Sequence, residues 1–162
     1  MLAGVSTLGI LFGYAVETIA GQKPSAFTLL NRINSIGGVS LSTEQIDASA
    51  LEDLISRYVA GRQDTGGTWS VTVNLTDETA EEWKTLISAA KTGEESGLST
   101  WFEVYSPMMT DAFFVVAQPP KDIPLPEIGQ NGLFTVEMTL TISDYKGLDT
   151  AIKPTAAVVP GP

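Results

Sequence analysis

The sequence predicts a mainly β domain with one α-helix, and three patterns carry that prediction. Trp69-Ser70-Val71-Thr72-Val73-Asn74-Leu75-Thr76 alternates apolar and polar side chains through four periods, which places Trp69, Val71, Val73 and Leu75 on one face of a strand. Phe134 to Ile142 alternates in the same way, with Val136, Met138 and Leu140 opposite Thr135, Glu137, Thr139 and Thr141. Trp83, Leu86, Ile87 and Ala90 recur at the spacing of one helical face.

The remaining elements follow in chain order. Leu8 to Thr18, Phe27 to Ile33 and Val39 to Ile46 have the β-branched and aromatic content of strands. Residues 47–67 mix both charge signs with glycines between two strands, and a loop of that length in a compact domain is usually functional or mobile. The helix is expected over 79–91. Thr79 and Glu82 match a capping box at its start, Lys91 sits in its last turn and Gly93 lies just beyond its end. Its single stripe implies packing on a sheet rather than entry into the core. Trp101 to Tyr105 and Ala112 to Gln118 read as strands joined by the hairpin-length connection Pro107 to Asp111. Lys146 to Pro162, rich in Pro, Ala and Val, reads as an extended arm or disordered end.

The chain has 162 residues, enough for one domain with arms but not for two domains. Only 17% of residues are charged, below the roughly 25% of typical soluble domains, while 43% are hydrophobic, so part of the surface is expected to be buried against copies or partners. Nine cations against 19 acids give a net charge of −10, which opposes DNA gripping but not an acidic surface past which DNA slides. Absence of cysteine removes disulfides and thiolate metal sites, and absence of histidine removes the usual general base and metal ligand. Met1 to Val16 is apolar, but Gly4, Gly9 and Gly13 interrupt it and the first cation is Lys23. The expectation is a soluble protein without a cleaved leader, whose monomer does not insert in membranes.

Isolated motifs carry little chemistry. Asp64-Thr65-Gly66 matches the tripeptide of pepsin-like proteases, but one polar-flanked copy reads as a turn. Asp77, Glu78, Glu81 and Glu82 are explained by the positive end of the helix dipole rather than by a metal. Gly37-Gly38 and Gly66-Gly67 lack the spacing and lysine of a phosphate loop. No enzyme activity, cofactor or metal is expected.

The order of segments is more informative. Ile46-Asp47-Ala48-Ser49-Ala50-Leu51-Glu52-Asp53, then Arg57-Tyr58-Val59-Ala60-Gly61-Arg62-Gln63-Asp64-Thr65-Gly66-Gly67, then the alternating strand from Trp69, resembles the major tail tube proteins of long-tailed, non-contractile bacteriophages, the siphophage tail tube family. That family shows an Ile-Asp-x-Ser/Thr start, an aromatic and small-residue approach to a Gly, an Asp-x-Gly and a polar alternating strand. The resemblance covers roughly residues 8–145. The apolar opening Met1 to Phe12 and the Pro-ended tail depart from it.

The resemblance implies a two-sheet β-sandwich or partial barrel with one flanking α-helix, a long inter-strand loop and extended N- and C-terminal arms, shared in outline with the type VI secretion tube protein. It implies a single tail-tube-like domain over 1–162, with arms at 1–12 and 146–162 and a stacking loop at 47–67. Six copies would close a ring and rings would stack into a tube, a conduit for genomic DNA that passes without specific binding. Other implied partners are the tape-measure, tail-tip and tail-terminator proteins, and the implied location is the virion tail, assembled in the host cytoplasm. The stacking loop nominates Asp47, Leu51, Asp53, Arg57, Tyr58, Arg62 and Asp64 for contacts between rings. The polar strand faces nominate Thr68, Ser70, Thr72, Asn74, Thr135, Glu137, Thr139 and Thr141 for the lumen. The alternatives are a monomeric β-sandwich that binds carbohydrate or a host through Trp69, Trp101 and Tyr105, or a related tail-terminator or secretion-tube subunit.

Overall fold

The computed structural model describes Gly4 and residues 6–130 and 132–156, so the outer ends of both expected arms lie outside the described residues. In chain order the elements are β1 (Leu11–Val16), β2 (Thr28–Leu30), β3 (Ile33–Ile36), β4 (Ser42–Asp47), β5 (Tyr58–Asp64), β6 (Thr68–Asn74), α1 (Asp77–Glu95), β7 (Thr100–Tyr105), β8 (Asp111–Gln118) and β9 (Thr135–Thr150). The fold is mainly β with one helix, as the alternating segments require. Seven strands form one antiparallel sheet in the order β2-β1-β7-β8-β9-β6-β3, and β4 with β5 forms a second sheet of two strands.

The larger sheet curls toward a barrel without closing. β1 and β6 stand four places apart in it, about 19 Å along a flat sheet at the usual strand spacing, yet the Phe12 and Trp69 rings lie 5.6 Å apart. Phe102 touches both, stacked on Phe12 at 5.6 Å and edge-on to Trp69 at 6.2 Å. Two register shifts between β8 and β9, at Phe114/Val115 and Val116/Ala117, bend the sheet there. Gly147, at φ 72°, takes the left-handed conformation opposite Phe114 that a side chain would resist. β9 is 16 residues long and belongs to both halves of the sheet. Thr135 to Thr141 pairs with β6, and Thr141 to Thr150 pairs with β8. Residues 146–150, expected in the C-terminal arm, are therefore strand, because β8 supplies their backbone partners.

The inner face holds the main core. Trp69, Val71 and Val73 from β6 meet Val136, Met138 and Leu140 from β9, with Phe12, Phe102 and Val115 opposite. The helix differs from its expected bounds and cap. Its N-cap is Thr76, and the reciprocal cap joins Thr76 to Thr79, with the Thr79 amide donating to Thr76 Oγ1 at 3.2 Å and the Thr76 amide to Thr79 Oγ1 at 2.8 Å. Glu82, the expected capping partner, accepts instead from the Asn31 amide at 2.9 Å, pinning the turn between β2 and β3. The buried residues of α1, Thr79, Trp83, Leu86, Ala90 and Gly93, form the single stripe expected, and Trp83 and Leu86 carry that stripe into the main core while the opposite side of α1 is exposed. Gly93 sits inside the helix: a Cβ there would lie 2.6 Å from Val16 Cγ1, so Val16 or the helix would have to shift to admit one. The helix stops at Ser96 and Gly97, the latter at φ 75°.

The outer face of β1, β7 and β8 is covered by the described part of the C-terminal tail. Phe27, Trp101, Phe114 and Val116 form a second core there, with Ala151 and Ile152 packed on it. Leu29 donates to Thr155 O at 2.7 Å and the Thr155 amide to Phe27 O at 3.0 Å, extending the β2 edge. Beneath the tail Glu103 is wholly buried, its Oε2 accepting from the Ile152 amide at 2.9 Å and its Oε1 without a partner among the described residues. Burial pushes the Glu103 carboxyl up, against the opposing pull of the Ile152 amide and the Lys23 charge.

Two predictions test this architecture. Trp83→Ala should cost about 3–5 kcal/mol, read as a lower urea midpoint, because it leaves a cavity where α1 meets the core. Glu103 binds its proton more tightly folded than unfolded, where its ordinary value is 4.5. Its stabilising contribution is therefore complete below that value and is lost as pH rises through the higher folded value. Glu103→Gln should remove this contribution, so that the urea midpoint of the variant falls less than that of the unsubstituted chain as pH rises above 4.5; an unchanged pH profile would refute this assignment.

Candidate functional site

Residues 47–67 are only in part an irregular loop. Most of the segment is the end of β4, a ten-residue connection over 48–57, and β5, paired from Asp47↔Tyr58 to Ser42↔Asp64 with one bulge. Tyr58-Val59-Ala60-Gly61-Arg62 has no alternation because neither face of the hairpin packs on a core, so periodicity does not reveal this strand. The connection is nonetheless ordered by its own polar groups. The Ser49 amide donates to Asp47 Oδ1 at 2.9 Å, the Arg57 amide to Ser49 Oγ at 2.7 Å and the Ala50 amide to Asp53 Oδ2 at 2.8 Å. The Ser49 amide, and after it the Ser49 hydroxyl, hold the Asp47 carboxyl below its ordinary range. Arg57 Nε lies 3.2 Å from Asp53 Oδ1.

This polar scaffold presents an apolar tip. Leu51 and Leu54 are as exposed as in an open chain, at 107% and 102%, and Ile55 reaches 80%. Ile46, Tyr58 and Val59 extend the exposed apolar surface down the hairpin. A two-stranded sheet is marginal by itself in water, and an apolar patch of this kind marks a contact surface. All seven residues nominated for inter-ring contact lie on this hairpin: Asp47 and Tyr58 face each other across it, Leu51, Asp53 and Arg57 form its tip, and Arg62 and Asp64 lie toward its base. Leu54 and Ile55, central to the tip, stand out in the sequence only as apolar residues between Asp53 and Arg57.

The eight residues nominated for a lumen also fall together. They form register pairs on the outer face of β6 and β9: Thr68↔Thr141, Ser70↔Thr139, Thr72↔Glu137 and Asn74↔Thr135. Asn34 of β3 joins them, donating through Nδ2 to Asn74 Oδ1 at 3.0 Å. The face is polar but nearly uncharged, with Glu137 its single acid among the eight. Much of the acidic excess lies elsewhere, six acids against two lysines on α1 alone.

Other candidates resolve otherwise. Trp69 and Trp101 are buried on opposite faces of the sheet, at 3% and 5% exposure, so with Tyr105 they form no sugar-stacking platform. Asp64 Oδ1 accepts from the Gly66 amide at 2.9 Å, a turn that brings the chain into β6. Among the described residues no cluster of acids is placed to hold a metal, and no helix is long and apolar enough to cross a membrane. A further exposed apolar group, Leu125, Ile128 and Leu133 in the β8–β9 connection, was not signalled by any period in the sequence.

No protein-family model and no curated protein matches the sequence. The fold is shared with solved structures, two of which follow. A chain of the cryo-EM structure of the anti-feeding prophage (AFP) baseplate, 6-fold symmetrised, aligns with TM-score 0.54 at 12% identity, covering 90% of this chain and 96% of that one. A chain from the tail of an empty GTA particle, computed with helical refinement and C6 symmetry, aligns with TM-score 0.56 at 14% identity, covering 92% and 100%. The architecture described above is thus one that occurs in phage-like tail assemblies.

Because the tip touches nothing in its own subunit that the core depends on, Leu51→Ser, Leu54→Ser and Ile55→Ser should each leave the unfolding free energy within about 0.5 kcal/mol. Cooperative loss of several kcal/mol in urea denaturation would show that the tip is part of the core.

Proposed function

We propose that the chain is a structural, non-catalytic subunit that closes into six-membered rings stacked as the tube of a phage-like tail, of the non-contractile type that its sequence resembles. The observation that carries this reading is the pairing of an apolar, self-ordered hairpin exposed over its whole length with a separate, polar sheet face. The hairpin suits contact along the tube axis. The polar face of β6 and β9 suits a wet inner wall, and the β3 end of the seven-stranded sheet offers unpaired backbone groups for a neighbour in the ring. Closing a ring would cover those edges on every copy. Both solved neighbours come from assemblies described with six-fold symmetry, which fits this stoichiometry.

DNA would meet mostly hydroxyl and amide groups, with one ring of six Glu137 carboxylates contributed one per copy. Without a cationic groove there is no counterion release to hold a phosphate backbone, so DNA slides. The reading also carries tape-measure, tail-tip and terminator proteins as partners at the tube's ends, assembly in the host cytoplasm and a final place in the virion tail. The carbohydrate-binding alternative loses its aromatic platform to the two cores.

The test is negative-stain electron microscopy of the full chain over a concentration series, with its mass in solution. Hollow rings or tubes with six-fold end views are expected, and the variant carrying Leu51→Ser, Leu54→Ser and Ile55→Ser should stay folded without forming tubes. A monodisperse monomer at every concentration, with and without purified tail-tip complex, would overturn the proposal.

A further inference from the structure

The second half of α1 carries a groove of about 640 Å³ lined by Val16, Lys84, Ser88, Ala89, Gly93 and Leu98, among others. It exists because the solvent side of the helix is built there from Thr85, Ser88, Ala89 and Thr92, and because Gly93 lets the helix settle on Val16. Val16 and Leu98, both half-buried, give it an apolar floor. Its charge is local: α1 is acidic at 77–82 and at 94–95, whereas residues 83–93 contain both of its lysines, Lys84 and Lys91, and no acid; Lys84 Nζ lies 3.6 Å from Glu81 Oε1 in an exposed pair that water screens and an incoming carboxylate can share.

The hairpin tip has the complementary character. Leu51, Leu54 and Ile55 project without cover, and Asp47, Glu52 and Asp53 precede its first cation, Arg57. The hairpin joins the N-terminal end of β6 and α1 the C-terminal end, seven residues apart in a strand of about 23 Å. A tip and a groove on different parts of one subunit, each complementary to the other, make a heterologous contact that repeats head to tail without closing, the arrangement stacked rings need.

The geometry points to the groove between α1 and the end of β1 as the socket for the hairpin tip of a copy in the next ring, an inference that rests on the tube reading. Leu51, Leu54 and Ile55 seat on Val16, Ala89 and Leu98, and Glu52 faces Lys84. The exposed acid–lysine pair sets register while the apolar side chains supply the contact.

The chain has no cysteine, so Leu54→Cys and Ser88→Cys supply the only thiols when introduced. Tubes of the double variant treated with a short bismaleimide should give a ladder of covalent oligomers, each single variant should remain uncrosslinked, and a mixture of the two singles should stop at dimers. Lys84→Glu should lower tube yield at least tenfold, and adding Glu52→Lys to it should restore the yield. Tubes without a ladder, tip-to-tip crosslinking by Leu54→Cys alone, or failure of the charge swap to restore yield would overturn the socket and leave the tube reading standing. Absence of tubes from the unsubstituted chain would overturn both.

Discussion

The contact of Phe12 with Trp69, two rings from opposite halves of one sheet, is the constraint on which the rest of the structure depends. Holding them together with Phe102 forces the sheet to curl, and curling makes one face a dry interior and the other an exterior. Every inward position on β6 and on the first half of β9 is then apolar of necessity, and every outward one is free to be polar. The interior needs a cover, to which the Trp83 and Leu86 stripe of α1 contributes. Trp69 also fixes where the hairpin leaves: its indole N–H donates to Gly37 O at 2.6 Å. At that point the chain runs so close to β6 that a Cβ on Gly37 would meet Ser70 O at 2.7 Å.

Stability and interaction are thus assigned to different parts of the chain. The curled sheet and α1 bury the large side chains, whereas the hairpin buries none and is ordered by short-range hydrogen bonds. Segments with few buried apolar contacts open at low cost, which suits a surface that must adapt to a neighbour. The low charge of the whole chain fits the same division, since surfaces covered in an assembly need little of it. The second core, under the C-terminal tail, lies between these extremes. It buries Trp101 Nε1 and Glu103 Oε1 without partners among the described residues, and such unpaired groups weaken the docking of the segment above them.

The sequence by itself determined which residues share a face. Alternation at Trp69 to Asn74 and Thr135 to Ile142 fixed both the core positions and the polar face opposite them, because a strand's period of two is local and survives any packing. Acidic residues and Thr at the start of α1, and its apolar stripe, likewise placed a helix. Tertiary structure alone decided what met what. Glu82 bonds to Asn31 rather than to Thr79, β9 runs on to Thr150 because β8 lies beside it, and Tyr58 to Asp64 becomes a strand because Ser42 to Asp47 folds back against it. These outcomes depend on registers, bulges and ring contacts between residues far apart in the chain, and no local period encodes the distance across which a sheet must bend to bring Phe12 to Trp69.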